Sequence, residues 1–332
     1  MGICLIGTEG SRRTEYFKKA AEAYHIPVRF VAWKEAVDAD LRDEIVKIDP
    51  PSYATANLFE MNEQIAAYIS GLNHLEKAGC RFLNTPAGIQ SVLDKRHCKE
   101  VLMKQNIPVT QMVKERVNTV EELEEVMEKH RMFSVFIKPV RCSGAAGVVA
   151  YRKYPGREKA MLYTSCRKQG RQLVNTKTLT RLERKEEIYP LLQAILSLGT
   201  IVERWHPKAS HGGKSYDLRV VWQFGNIAFI VARQSSGPIT NLHLNNAPLD
   251  WHELHLPRGK VEEIHTLCQD AVKLFPGLSM VGIDIMLEKG TLRPKIIEIN
   301  GQGDLMYQDI FYDNVIYKQQ VEYMSRLTEK KG

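Results

Sequence analysis

Two carboxylates and an amide near the end of this 332-residue sequence form its most chemically specific group. Asp284 lies in Val281-Gly282-Ile283-Asp284-Ile285-Met286, and Glu298 and Asn300 lie in Lys295-Ile296-Ile297-Glu298-Ile299-Asn300. Both segments read as short strands rich in Ile and Val, separated by the turn Glu288-Lys289-Gly290 and a break at Pro294. Paired antiparallel, they would set Asp284 opposite Glu298. Glu298 and Asn300, two apart, must share one face of the sheet. Three hard oxygen donors on one face suit Mg²⁺, which prefers carboxylates with phosphate oxygens and water to a closed protein cage. That is a nucleotide-phosphate site in outline.

Cations upstream recur at places that suit phosphates. Residues 133–137 read as a strand ending at Lys138-Pro139. The run Arg141-Cys142-Ser143-Gly144-Ala145-Ala146-Gly147 leads from it into a returning strand at 148–151. A hairpin with a small-residue tip and a lysine at its base can fold over phosphates: backbone N–H groups approach closely and the ammonium supplies charge. Residues 88–105 read as one helix with Asp94-Lys95-Arg96 in its middle, and Thr119-Val120-Glu121-Glu122 is a capping box opening an acidic helix. Strands are expected at 200–206, 217–222 and 227–232, a polar loop from Arg233 to 250, and helices at 261–275 and 309–327.

The first 90 residues alternate strands (3–7, 28–33, 44–48) with helices (13–24, 57–77), a βαβ rhythm that indicates a small, mostly parallel sheet. Gly7-Thr8-Glu9-Gly10 lacks the third glycine of a dinucleotide loop and reads as a plain turn. The expected class is α/β: a βαβ domain over 1–92, a central α+β subdomain over 93–203 with the phosphate loop, and a second over 204–332 with the metal site.

Charge is concentrated. Residues 152–185 hold eleven Lys and Arg against two Glu, a local +9, so the other 298 residues carry −2 of the net +7. The patch can attract an acidic peptide, a nucleotide or nucleic acid. Only Tyr154 and Tyr163 interrupt it, which argues against single-strand stacking. No apolar run approaches a membrane span or a signal-peptide core. Six cysteines without a C-x-x-C pair read as reduced thiols of a cytoplasmic protein. His252 and His255 have a helical metal spacing, but Pro248 and Pro257 argue against a helix there.

The order Lys95, Lys138 with its Gly/Ala loop, Glu203, Asp217-x-Arg219, Asp284, Glu298-x-Asn300 resembles the ATP-grasp superfamily. Within it, Arg233 followed by Asn241-Leu242-His243 is similar to the Arg…Asn-Leu-His segment of the carboxylate–amine ligases of the ribosomal-protein glutamate ligase (RimK-like) branch. The likeness runs from about Asn84 to Asn300. The first 60 residues, with their Asp49-Pro50-Pro51 break, resemble an ATP-grasp group of bacterial biosynthetic gene clusters.

The resemblance implies ATP with two Mg²⁺ ions, Mn²⁺ being able to substitute, clamped between the two α+β subdomains. Lys95 and Lys138 would hold the α- and β-phosphates, and Ser143, Gly144, Ala145 and Gly147 would belong to the loop that closes on them. Glu203, Arg204 and Trp205 would form the adenine hinge, largely through backbone groups, and Asp217 would take the ribose hydroxyls. Asp284, Glu298 and Asn300 would bind the metal. Arg233, Arg219 and Asn241 would face the reacting phosphoryl and acyl groups. The implied reaction turns a carboxylate into an acyl phosphate with release of ADP, then couples it to an amine of an amino acid or peptide, in a protein able to form homo-oligomers. Two other functions fit the same residues: phosphoryl transfer to a hydroxyl, and an ATP-regulated module binding an acidic partner through 152–185. Leu244-Asn245-Asn246 and Gly301-Gln302-Gly303-Asp304 depart from the family pattern where the acceptor would sit.

Overall fold

The structure is a computed structural model, and it describes residues 1–142, 144–156, 159–302 and 313–329. The N-terminal part is β1 (Gly2–Gly7), α1 (Arg12–Ala23), β2 (Val28–Ala32), β3 (Glu44–Ile48), α2 (Leu58–Leu75) and β4 (Arg81–Phe82). The strands form a parallel sheet in the order β2-β1-β3-β4. Ile3 to Ile6 are all buried, as expected for a parallel strand covered on both faces. Ser11 and Asn57 cap the two helices through their side-chain oxygens, which places each helix start where the sequence turns polar.

Next come α3 (Pro86–Leu93), α4 (Lys95–Lys104) and α5 (Val120–Lys129). The single helix expected over 88–105 is two. Asp94 adopts extended backbone (φ −82°, ψ 100°) and its carboxylate accepts from the His97 N–H, so it caps α4 rather than continuing α3. Lys95 is therefore the first residue of a helix, not the middle of one. Thr119 caps α5 as expected, while Glu122 reaches back to the N–H of Asn118, one residue before the cap.

The central sheet holds β5 (Ser134–Pro139), β6 (Val149–Lys153), β7 (Ala160–Gln169), β8 (Gln172–Leu182) and β9 (Thr200–Arg204), with α6 (Lys185–Leu196) packed on it. All its pairs are antiparallel, in the order β8-β7-β6-β5-β9. The last sheet comprises β10 (Ser210–His211), β11 (Lys214–Gln223), β12 (Asn226–Ser235), β13 (Ala247–Leu249), β14 (Met280–Leu287) and β15 (Pro294–Asn300), with helices α7 (Arg258–Val272) and α8 (Val315–Glu329). Its path is β13-β12-β11-β14-β15, with β10 beside β11. The polar loop expected from Arg233 is shorter than that: β12 runs to Ser235, and β13 and two 3₁₀ turns, at Leu242–Leu244 and Trp251–Leu254, occupy much of the rest.

Burial follows a different division from the sheets. One core joins β1, β3, α2, α3 and α4 to β11, β12, β14, β15 and α7. A second joins α1 and the other face of β1 to α8 and β11. The central sheet has a core of its own, which also takes in Leu58 and Ile65 of α2. The N-terminal and last sheets are thus packed as one body, with α3 and α4 carried on it. Among the described residues no helix is long and apolar enough to cross a membrane.

Candidate active site

The register of the last sheet builds the site. Asp284 pairs with Glu298 across β14 and β15, and the irregularity after Asp284 turns the strand there. On its other side β14 pairs with β11, bringing Arg219 opposite Asp284, and β12 brings Arg233 opposite Asp217. Arg219 Nε lies 2.5 Å from Asp284 Oδ1 and Arg233 Nη2 lies 3.1 Å from Asp284 Oδ2. Arg233 Nε donates to Asp217 Oδ1 at 2.7 Å, and Lys208 Nζ lies 3.2 Å from Asp217 Oδ2. Thr240 donates its hydroxyl to the same carboxylate and accepts from Lys208 at 2.7 Å. Lys208, Asp217, Arg233, Asp284 and Arg219 thus alternate in sign across the floor. Burial alone would raise the Asp217 carboxyl, but Arg233 and Lys208 hold it well below the usual carboxylate range.

The facing wall comes from the central sheet and α4. The N–H of Lys95 donates to the Val140 carbonyl at 3.1 Å. Its ammonium donates to the Cys142 carbonyl and lies 3.4 Å from Glu298 Oε1. Lys138, at the end of β5, lies 3.0 Å from Glu203 Oε2. Glu203 is 1 % exposed, and burial opposes its charge, yet Lys138 and Lys99 pull its carboxyl down to about 2. The loop between β5 and β6 closes on Gly147 (φ +73°), where an added Cβ would stand 2.5 Å from Pro139 Cγ and 3.3 Å from Leu58 Cδ1. Gly147→Ala is therefore expected to cost about 2–3 kcal/mol in denaturant melts. Gly156→Ala (φ +68°, nothing within 4 Å) should cost only about 1 kcal/mol, as the control for backbone strain alone.

Of the residues singled out in the sequence, Lys95, Lys138, Gly144, Ala145, Glu203, Arg204, Asp217, Arg219, Arg233, Asn241, Asp284, Glu298 and Asn300 line one cleft. It encloses about 840 Å³, the open space at its mouth included. Gly147 and Trp205 are not part of its lining. Trp205 packs behind Phe136, ring centroids 5.5 Å apart, with the Arg152 guanidinium 4.6 Å over its ring. The Arg204 side chain donates to Gln111 at 2.7 Å. The side chains of Asp217 and Glu203 are each enclosed by cations. Ser143 lies outside the described residues, as do Gly303 and Asp304. Asn241 accepts from the His243 N–H at 2.9 Å, and Asn246 ties the same loop together through the Ile239 and Asn241 carbonyls, 2.8 Å each. Burial pushes the Cys142 thiol up to about 11, so it fills the loop as a neutral group.

Lys208, Thr240, His206 and Phe136 also line the cleft, and Lys99 lies just behind it. Lys99 is four residues after Lys95, on the same helix face, a spacing visible in the sequence. Lys208 and Thr240 carry no such signal. Burial, helped by Lys295, pushes His206 down to about 4, so it is neutral at physiological pH.

The donors present fit a nucleotide with a hard divalent cation. Asp284, Glu298 and Asn300 offer oxygen, while Arg219 Nη1 and Asn300 Nδ2 are buried with no hydrogen-bond partner among the described residues, which suits donors to phosphate oxygens. Among the described residues no cluster of three His, Cys, Asp or Glu offers a closed metal cage.

No protein-family model matches the sequence, and the comparison with curated proteins finds no match. Solved structures match it over nearly all of both chains. D-cycloserine synthetase DcsG superposes with a TM-score of 0.64 at 12 % identity, covering 97 % of this chain and 100 % of its own. The macrocyclase MdnC from Microcystis aeruginosa MRC, bound with precursor peptide MdnA, gives 0.60 at 14 % identity, covering 98 % and 99 %. The ATP-grasp ligase PsnB, complexed with a minimal precursor, Mg and ADP, gives 0.57 at 13 % identity, covering 98 % of each chain. With a parallel N-terminal sheet and two antiparallel sheets facing each other across the cleft, this chain has the fold of the ATP-grasp ligases.

Proposed function

We propose that the protein is an ADP-forming ligase that joins a carboxylate to an amine on an amino-acid or peptide substrate. The observation that carries this is the convergence of Asp284, Glu298 and Asn300 with Arg219, Arg233, Lys95 and Lys138 on one cleft. Bound ATP with Mg²⁺ would supply the phosphoryl group that turns the carboxylate into an acyl phosphate and would neutralise part of the phosphate charge. Lys95 and Lys138 would hold phosphate oxygens as fixed charges, and Asp284, Glu298 and Asn300 would hold the metal. Arg219 and Arg233, held by paired carboxylates, would stabilise oxygen charge on the reacting acyl phosphate. The amine then forms the C–N bond, phosphate leaves with the C–O electron pair, and the amine proton passes to solvent or to the departing phosphate. Gly144, Ala145 and Ala146 line the cleft beside His243 and would help shield the activated acyl group from water.

The substrate is proposed to be acidic or to be carried on an acidic segment. Five of the eleven cations of the basic run lie on the β7–β8 hairpin, whose tip exposes Arg167, Lys168 and Arg171, and β8 reaches the N-terminal part through a bridge between Asn57 and Val174. The test is incubation with ATP, Mg²⁺, hydroxylamine and an Asp/Glu-rich peptide. ADP and a peptide hydroxamate are expected, with the peptide KM rising steeply between about 50 and 300 mM salt. Release of AMP and pyrophosphate would sink the ligase reading. A stable phosphopeptide without hydroxamate would assign phosphoryl transfer instead. A salt-independent KM would remove the hairpin from recognition.

A further inference from the structure

Behind the cleft, one buried carboxylate is shared by two ammonium groups. Glu203 Oε2 lies 3.0 Å from Lys138 Nζ, and Glu203 Oε1 lies 2.8 Å from Lys99 Nζ. Thr110 links the two halves: its hydroxyl donates to Glu203 Oε2 at 2.8 Å and accepts from Lys99. The Thr110 carbonyl accepts a second Lys99 bond at 3.0 Å, while the contact to Glu203 Oε1 is an ion pair without hydrogen-bond geometry. Lys99 thus directs both of its hydrogen bonds at Thr110 and its charge at Glu203, whereas Lys138 lines the cleft and bonds only Glu203 among the described residues.

We propose that Lys99 is a positioning residue for the nucleotide: by neutralising Glu203 from behind, it leaves the Lys138 ammonium uncompensated and directed at phosphate. The proposal rests on the ligase reading of the cleft. A lone Glu203–Lys138 pair would be neutral, and Glu203 would hold Lys138 as its only counter-charge. With Lys99 in place the triad carries a net single positive charge, and Glu203 can release one Lys138 N–H direction to an incoming anion without itself being orphaned. In a dry site that extra charge acts on the phosphates with little screening.

The triad is also a pH-sensitive device, because burial lowers the Lys99 ammonium to about 8 even with Glu203 opposing. The groups that face it are Glu203 from β9, Lys138 from β5, Thr110 and the neighbouring Cys98, with His206 beyond. Glu203 is held at about 2, His206 at about 4, and burial lifts Cys98 to about 12, so none of these titrates between about pH 7 and 9.5. Protonated Lys99 favours the anion. Affinity is therefore full below about pH 8 and falls as pH rises through it.

The experiment is calorimetric binding of a non-hydrolysable ATP analogue with Mg²⁺ at about pH 7 to 9.5. Wild type is expected to lose about tenfold in affinity across that range. Folded Lys99→Met should bind about ten- to a hundredfold more weakly at pH 7, with no further fall at high pH. Lys99→Arg, which keeps its charge throughout, should hold near-wild-type affinity at pH 7 and lose the alkaline fall. Wild-type affinity in Lys99→Met, or a flat wild-type profile, overturns the proposal. So does an alkaline fall that survives in Lys99→Met, since Lys208, also lowered by burial, would then carry it. Wild type that binds no nucleotide at any pH refutes the ligase reading itself, a separate result.

Discussion

Glu298→Gln is expected to lower ADP release by about a thousandfold or more while leaving the fold intact. The substitution keeps the shape of the side chain and removes its charge. The site then offers a hard cation one carboxylate, Asp284, and that one already faces two guanidinium groups, Arg219 at 2.5 Å and Arg233 at 3.1 Å. Glu298 is the carboxylate with fewer competitors, since among the described residues its ion-pair partner is Lys95, at 3.4 Å. The pair is partly exposed, 10 % and 20 % for the two side chains, so its loss should shift stability by about 1 kcal/mol or less. Single-turnover ADP release and a thermal melt on the same preparation check both halves. Asn300→Ala, which removes a neutral oxygen, should cost less, about ten- to a hundredfold. A Glu298→Gln enzyme with a tenth of wild-type turnover would mean that Asp284 and Asn300 suffice.

The pairing that matters most here was legible because its signals are local. Two Ile-rich segments with a Gly turn and a Pro break have few ways to pair, and the expected apposition of Asp284 and Glu298 is the register observed. Lys138 at a strand end before Pro139 was legible for the same reason. Harder to see were groups brought in by pairing across three strands. Lys208 and Thr240 meet Asp217 because β11, β12 and the loop after it converge, and no spacing in the sequence announces that. The two carboxylates assigned to ribose and hinge turn out to be walled in by cations, a consequence of burial that composition does not reveal. Glu203 is 1 % exposed and Asp217 2 %.

In the fold, the first 90 residues were read almost element for element because apolar strands and capped helices alternate cleanly there. The break in the helix expected at 88–105 has an identifiable cause. Asp94 is compatible with a helix interior by pattern, and only its capping of the His97 N–H shows that the chain restarts. That restart places Lys95 at a helix N-terminus, with its N–H on the Val140 carbonyl. The polar residues after Arg233 suggest a loop there, but β13 pairs with β12 and extends the sheet. The hairpin of β7 and β8 went unread as structure because its charges mask its alternation: Leu173 and Cys166 are buried while Arg167, Lys168 and Arg171 are exposed.

Arg233→Met should be the most damaging single change to the floor, for stability as well as turnover. Arg233 is 3 % exposed and stands between Asp217 and Asp284, so its loss takes one of two cationic partners from each of two buried carboxylates, leaving Asp217 with Lys208 and Asp284 with Arg219. Removing one member of a buried pair costs about 3–5 kcal/mol, a fall in Tm of about 5–10 °C or more for a chain of this size. Turnover should drop about a thousandfold, the scale of a lost charged donor at an oxyanion. Arg233→Lys restores charge but not the fork that spans both carboxylates, so it should recover part of the stability and little of the activity. The pH dependence gives a second handle. Asp217 is held below its ordinary value of 3.8 in the wild type, so its contribution is present above about pH 4. In Arg233→Met the same carboxyl rises, because Lys208 alone is left to oppose the burial penalty, and protonating it relieves an under-compensated charge. The stability gap between wild type and variant should therefore be full at neutral pH and narrow as pH falls below about 4. Asp217→Asn added to Arg233→Met should close much of that gap at neutral pH without returning turnover. If turnover returned with stability, Arg233 would be serving Asp217 alone, and Arg219 would be left as the guanidinium that meets the reacting oxygen.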